Sequence, residues 1–351
     1  MLVTRCVERI DLPSPAQREA VLREPVTETS FRRAFDEFES LHAVEVMASP
    51  AAADRLDTAR IVFWNAERLK YAAPSAAMLE RAAGDVVLLC EVDLGMARSG
   101  NRHTVADLAA ALGTGYVFGV EFVELGLGDA RERAWHAGQD NTAGLHGAAI
   151  LSRHVLDRPA LARLERSGRW FDGNFGERRV GGRMALMAEV TVAGRQVLVV
   201  SVHFESHSDP EDRALQTERL LDAIDEHAPG LSVLIGGDFN TSTFDLAEKD
   251  DPAVVAAALA VEPDRLVAPM AHEPMFETLR RRGYDWDRCN VPLAVTQRTR
   301  PDGTPKPPYG KIDWLFTRGL RCCDPAVIAA VDEAGVAISD HEALAVTVAP
   351  A

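Results

Sequence analysis

From Ala59 onward the chain is built of short apolar runs separated by helical stretches, and the runs end in polar side chains. In ARIVFWNAERL, Ile61 to Trp64 have the character of a buried strand, with Asn65 and Glu67 at its end. A helix over PSAAMLERAAG, closed by Gly84, leads to DVVLLCEVD, a second buried strand ending in Glu91 and Asp93. Near-continuous apolar runs mark strands covered on both faces. In open sheets, ligands gather at the ends of such strands. This alternation predicts an α/β fold and makes Glu91 a better site candidate than any carboxylate on a helix.

Four further strand ends carry polar groups. A hairpin turning at Ala193-Gly194 has a second strand that is apolar from Val197 to Val202 and ends in His203. LSVLIGGDFNTST brings an apolar strand up to Gly237, after which Asp238 and Asn240 share one side of the extended chain while Phe239 anchors the turn beneath. KIDWLFTRGL is an apolar strand interrupted by Asp313, and a carboxylate in that setting needs a partner. AISDHEALAVTV places Asp340 and His341 before the closing strand. Carboxylates and amides without a Cys-His set favour Mg²⁺ or Mn²⁺ over Zn²⁺. Hard cations of this kind commonly serve phosphoryl chemistry, where they neutralise charge on the reacting oxygens.

Other segments frame these positions. Asn141 and His146 stand just before the short strand GAAILS, within reach of the pocket, and Arg102 and His103 of GNRH lie on a loop rim. The segment RLERSGRWFDGNFGERRVGGRM is the most basic of the chain; as a loop over a site it would offer Arg178, Arg179 and Arg183 to an anionic substrate. Between Thr241 and Tyr309 prolines are many and strand signals few, and the PDGTPKPPYG run cannot be helical. Residues 1–57 have a different pattern from the rest of the chain. There, a helix capped by Thr29 or Ser30 over FRRAFDEFESLHAVEVMA aligns Phe31, Phe35, Phe38, Leu41 and Val44 in one stripe. The stripe is expected to dock on the main domain or on a twin subunit. The organisation expected is an N-terminal helical extension, 1–57, and a catalytic domain, 58–351.

The balance of 53 acidic against 38 basic residues gives a formal charge of −15. Such a surface repels polyanions at long range and argues against avid non-specific binding of nucleic acid. The five cysteines are an odd set without zinc-like spacing, which reads as reduced thiols in a cytoplasm. The opening residues have no apolar run behind a basic start, and nothing later reads as a membrane helix.

In this order, WNAE, CEVD, SVHFES followed by RALQ, GGDFNTS, KIDWLF and SDHEAL resemble the motifs of the endonuclease/exonuclease/phosphatase superfamily, over about Ala59 to Val348. That resemblance implies a four-layer α/β sandwich of two packed, mostly antiparallel sheets with helices outside. It implies that Glu91 is the principal Mg²⁺ ligand, helped by Asn65 and Asp340. Asp238, with Asn240, would orient or deprotonate the attacking water, and Asp313 would polarise His341. His203 would bind a non-bridging oxygen or protonate the leaving group. The charge and the proline-rich insertion favour a phosphodiesterase or phosphatase acting on a small or lipid-like phosphoester. The alternatives are a nuclease and a non-catalytic binding module on the same fold.

Overall fold

A computed structural model describes residues 2–50, 55–165 and 176–351. Its strands in chain order begin with β1 (Leu2–Val3), β2 (Cys6–Val7), β3 (Val44–Met47), β4 (Ala59–Arg68) and β5 (Val86–Leu94). Next come β6 (Gly115–Glu124), β7 (Leu145–Ser152), β8 (Asp157–Arg163), β9 (Arg179–Gly181) and β10 (Met184–Val192). The last are β11 (Arg195–His203), β12 (Ser232–Asp238), β13 (Asp313–Arg318), β14 (Leu320–Ile328) and β15 (Ala343–Pro350). Between them lie helices α1 (Pro15–Arg23), α2 (Glu28–Glu37), α3 (Ala72–Ala82), α4 (Thr104–Leu112), α5 (Ala130–Trp135), α6 (Pro210–His227), α7 (Leu246–Lys249), α8 (Pro252–Val261) and α9 (Met275–Arg281).

The strands form two sheets. One has six strands in the order β1-β8-β10-β11-β12-β13; the other runs β14-β15-β4-β5-β7-β6-β3-β2, with β9 also on β6. Among the described residues only the β11–β12, β4–β5 and β2–β3 pairs are parallel, so both sheets are mostly antiparallel. The period of two along a strand separates the layers. On β4 and β5, Ile61, Phe63, Val86 and Leu88 enter the core shared with Leu198, Val200 and Leu234 of the other sheet. Their neighbours Val62, Trp64, Val87 and Leu89 instead meet Met78 and Leu79 of α3 and Val105 and Leu108 of α4. On the far side, Leu220, Leu221 and Ile224 of α6 and Phe276 of α9 belong to the first core. This is the expected sandwich of sheets with helices outside. No helix among the described residues is long and apolar enough to cross a membrane.

Local signals explain most boundaries. Asp209 caps α6 by accepting from the Asp212 amide at 2.8 Å. The β10–β11 hairpin turns through Ala193 and Gly194, both at positive φ. Helix α3 closes one residue earlier than the Gly84 signal suggests, with Ala83 left-handed at φ 53°.

Within 1–57 the described residues form strands β1, β2 and β3 as well as helices α1 and α2. Helix α2 is capped by Thr27, two to three residues earlier than predicted, and ends at Glu37. Val44 is not on that helix but on β3, because Val44 and Val46 alternate with Glu45 and Met47 and pair with β6. Phe38, Leu41 and Val44 are buried in the chain's own core, with Phe31 and Phe35 packed against it. The stripe thus docks on the same chain, and β1, β2 and β3 add strands to both sheets.

Where the sheets approach beneath the Asp238 turn, a Cβ on Gly236 would sit 2.8 Å from Phe63 Cβ and 3.0 Å from Leu88 Cδ1. Gly236→Ala is therefore expected to lower unfolding free energy by about 1–3 kcal/mol through overpacking. Urea unfolding checks this; an unchanged midpoint would show that the sheets separate freely there.

Candidate functional site

Strand register gathers the polar ends. In the six-stranded sheet, His203 lies opposite Asp238 and Asp238 opposite Asp313, giving three consecutive strands one row of functional groups. In the other sheet, the register shifts between Asn65 and Arg68 on β4 and between Leu89 and Val92 on β5. These neighbouring irregularities turn Asn65 and Glu91 toward the same space, as bulges beside active sites commonly do. Glu91 adopts φ 53°, and Glu67, Arg68 and Leu69 follow one another at φ 41°, 73° and 52°. The segment before β15 is tied in from behind. Ser339 Oγ donates to the Asn65 carbonyl at 2.7 Å and accepts from the His341 amide, while Trp64 Nε1 donates to the His341 carbonyl.

Asp238 is the hub. Its Oδ2 accepts from Asn65 Nδ2 at 3.0 Å, and its Oδ1 accepts from the backbone amide of Asn240 at 3.0 Å. Two imidazole nitrogens face Oδ2: His203 Nε2 at 3.6 Å and His341 Nε2 at 3.8 Å. Asn240, left-handed at φ 49°, spends its own Nδ2 on the Phe204 carbonyl. Phe239 is buried edge-on between Phe204 and Phe316, which fixes the turn from below. Burial, and then the nearby Asp313, push the Asp238 carboxyl up to about 6.

His341 has the reverse environment from an ordinary buried imidazole. Burial would lower it, yet Asp313, whose Oδ2 lies 2.9 Å from Nδ1, together with Asp238 and Asp340 raises it to about 10. Asp313 is thereby given the partner its buried position demands. His203 is driven well below its ordinary value, first by burial and then by Arg183, whose Nη1 lies 3.0 Å from Nδ1.

Beside this cluster is an acidic side. Glu91 accepts from Asn65 Nδ2 at 3.1 Å, and Arg68 pairs with its other oxygen. Asp340 lies 3.8 Å from His341 Nε2. Glu67 does not stand out as a site residue in the sequence, although WNAE contains it. Its Oε1 takes Lys70 at 3.1 Å, its buried Oε2 has no hydrogen-bond partner among the described residues, and burial and then the Asp340 charge raise its carboxyl. Asn65 Nδ2 reaches both Glu91 and Asp238, and the Asp340 charge acts on Glu67. Among the described residues, Asp238, Asp313 and His341 bring one ligand atom each within 4.8 Å of one another. In that group, however, Asp313 is already committed to His341.

The expected substrate contacts fare differently. Asn141 donates Nδ2 to the Gly126 carbonyl, accepts from the Ala97 amide at Oδ1 and from Arg18 at its backbone carbonyl, so it ties loops together. His146 is buried against Asp93 at 2.8 Å and Arg98 at 3.2 Å, and burial pulls it down to about 3. It belongs to a buried ionic network behind Glu91. Arg183 is 4% exposed and engages Glu121 and Glu205 as well as His203, so it supports the site without lining it. Arg178 donates to the carbonyls of Val21, Leu22 and Glu24, clamping α1. Arg179 stacks 3.8 Å over Phe122. His103 caps α4 and meets Glu45, while Arg102 serves loop carbonyls. The remainder of the basic segment, 166–175, lies outside the described residues.

A model of the Endonuclease/Exonuclease/phosphatase family matches residues 62–341, and the chain belongs to that family. Its members are phosphoester hydrolases that generally use a divalent metal. No curated protein matches. Among solved structures, the endonuclease/exonuclease/phosphatase from Beutenbergia cavernae DSM 12333 is similar at 20% identity and TM-score 0.56, over 84% of this chain and 72% of that one. A functionally unknown conserved protein from Enterococcus faecalis V583 has 15% identity and TM-score 0.52, over 83% and 100%. The endonuclease/exonuclease/phosphatase from Bacteroides vulgatus has 16% identity and TM-score 0.51, over 84% and 99%. At such identities the likeness is one of fold.

The Asp313–His341 pair yields a pH-dependent signature. A group raised from 6.5 to about 10 contributes stability that is fully present below 6.5 and lost as pH rises through 10. In Asp313→Asn, NMR titration in EDTA is expected to find His341 lowered by more than about one unit, with that pH-dependent contribution reduced. A His341 value still near 10 would mean that Asp313 is not its main support.

Proposed function

We propose that the protein is a Mg²⁺- or Mn²⁺-dependent hydrolase of phosphoester bonds, acting by in-line attack of water. The reading rests on one arrangement: a buried carboxylate, Asp238, held by an amide and flanked by two imidazole nitrogens at 3.6 and 3.8 Å. Asp238 would orient the water and take its proton, for which a carboxyl near 6 is well matched to neutral pH. Asp313 keeps His341 protonated at Nδ1, so that Nε2–H faces the reacting phosphorus as a charged donor. Glu91, Asn65, Asp340 and Glu67 would hold the cation, for which the supporting observation is the Glu67 oxygen that has no hydrogen-bond partner among the described residues. When bound, the cation neutralises charge on the phosphoryl oxygens.

For the substrate we propose a small or lipid-like phosphomonoester or diester. The formal charge of −15 supports this over a nucleic acid, because a polyanion would meet long-range repulsion. Under Mg²⁺ and Mn²⁺, hydrolysis of bis-(p-nitrophenyl) phosphate is expected to exceed nicking of plasmid DNA at low salt. EDTA is expected to abolish turnover, and Asp238→Ala to lower it by about 10²- to 10⁴-fold. Equal rates in wild type and Asp238→Ala would remove the catalytic role of Asp238. Efficient nicking with little small-ester turnover would instead establish the nuclease alternative.

A further inference from the structure

The two histidines beside Asp238 are built with opposite chemistry at their far nitrogens. His341 Nδ1 faces a carboxylate, Asp313, at 2.9 Å; His203 Nδ1 faces a guanidinium, Arg183, at 3.0 Å. A carboxylate accepts a hydrogen bond and a guanidinium only donates. The Arg183 contact therefore requires a lone pair on His203 Nδ1, which leaves the ring proton on Nε2. Nε2 is the atom that faces Asp238 Oδ2 at 3.6 Å and Glu91 Oε1 at 3.9 Å.

Arg183 is not free to turn away. Its Nη1 donates to Glu121 Oε1 at 2.7 Å and its Nε to Glu205 Oε2 at 3.1 Å. Glu205 is itself held, Oε1 accepting from the His207 amide at 2.9 Å. Arg183, His203, Glu121 and Glu205 are all buried, so water does not compete for these bonds. A second proton on His203 would place an N–H against the Arg183 guanidinium. The carboxylates Asp238 and Glu91 lie off the other edge of the ring, 3.6 and 3.9 Å from Nε2.

We propose that Arg183 is a positioning residue that fixes His203 as a neutral imidazole with its proton on Nε2. His203 then donates a hydrogen bond to a non-bridging phosphoryl oxygen and does not protonate the leaving group. The proposal rests on the phosphoesterase reading for its catalytic half, whereas the tautomer follows from the Arg183 contact alone. It divides labour between the rings: one charged, set by Asp313, and one neutral, set by Arg183. An anionic phosphoryl group is thus met by a fixed dipole on one side and a full positive charge on the other.

Long-range ¹H–¹⁵N NMR of histidine-labelled protein in EDTA tests the tautomer. Wild type is expected to show His203 with a pyridine-like Nδ1 and a protonated Nε2 near neutral pH. Arg183→Met is expected to give a tautomer mixture, and Arg183→Lys, which keeps a cationic donor, to restore part of the wild-type pattern. A wild-type His203 protonated on Nδ1, or on both nitrogens, would overturn the proposal without touching the phosphoesterase reading. The catalytic half is read from His203→Gln on esters of differing leaving-group pKa. A loss of about 10- to 100-fold that is the same for aryl and alkyl leaving groups is expected of an oxygen-binding donor. A loss that grows steeply as the leaving group worsens is the signature of an acid and would overturn it. Absence of hydrolysis of any ester by wild type would sink the phosphoesterase reading while leaving the NMR result to decide the tautomer.

Discussion

A carboxylate that is 2% exposed must be surrounded by donors, and the arrangement of the two sheets is what surrounds Asp238. The six-stranded sheet supplies His203 and Asp313 on the strands either side, because register leaves no freedom for slippage: one residue of shift would send all three side chains to the opposite face. The other sheet supplies the Asn65 amide from across the core. The sheets come close enough for this only where Gly236 carries no side chain against Phe63 and Leu88. Packing and chemistry thus meet in the same stretch of β12. Its last residues before Asp238 are glycines for a reason of space, not only of turning.

Charge burial obeys a consistent logic around that hub. Arg98 pairs with Asp93 and Glu132, Arg68 with Glu132 and Glu91, and Arg183 with Glu121 and Glu205. Buried ions are tolerated only when paired and hydrogen-bonded, and removing one partner is usually far more costly than removing both. These networks stand behind Glu91 and His203, so the groups facing the pocket inherit fixed orientations. His146 is part of this scaffolding. Burial first, with Arg98 and Arg68 adding to it against the pull of Asp93, lowers its imidazole to about 3, which suits a structural hydrogen bond to Asp93.

The strand ends were legible because each apolar run stops abruptly at a polar residue, a pattern that survives in one dimension. Asn65, Glu91, His203 and Asp238 are found this way, Asp313 as a carboxylate interrupting an apolar run and Asp340 and His341 just ahead of one, and the structure brings them to one place. Arg183, Asn141 and His146 were legible as residues but not as roles. Sequence shows a cation in a glycine-rich segment, whereas only the fold reveals that Glu121 and Glu205 wait for it inside. Period 3.6 from Phe31 happens to land on Val44 and predicts helix there, while the shorter alternation Val44-Glu45-Val46-Met47 decides the outcome through pairing with β6. Glu67 is visible beside Asn65 at the first strand's end but without a role, because the left-handed turn from Glu67 to Leu69 carries no glycine to announce it.

That turn, together with Glu91, concentrates backbone strain at the oxygen-rich side of the site. Non-glycine residues at positive φ cost on the order of 1–3 kcal/mol each and persist only where other contacts hold them. Here the holding contacts are specific. Arg68 binds Glu91 from one strained segment to the other and reaches Glu132, and Lys70 secures Glu67. Glu91 is consequently an anchor of its own bulge as well as a proposed cation ligand. A cation that draws on Glu91 shares it with Arg68, so the strength of cation binding is coupled to the conformation of the β4 turn. Glu67 Oε2, carried by the same turn, has no hydrogen-bond partner among the described residues.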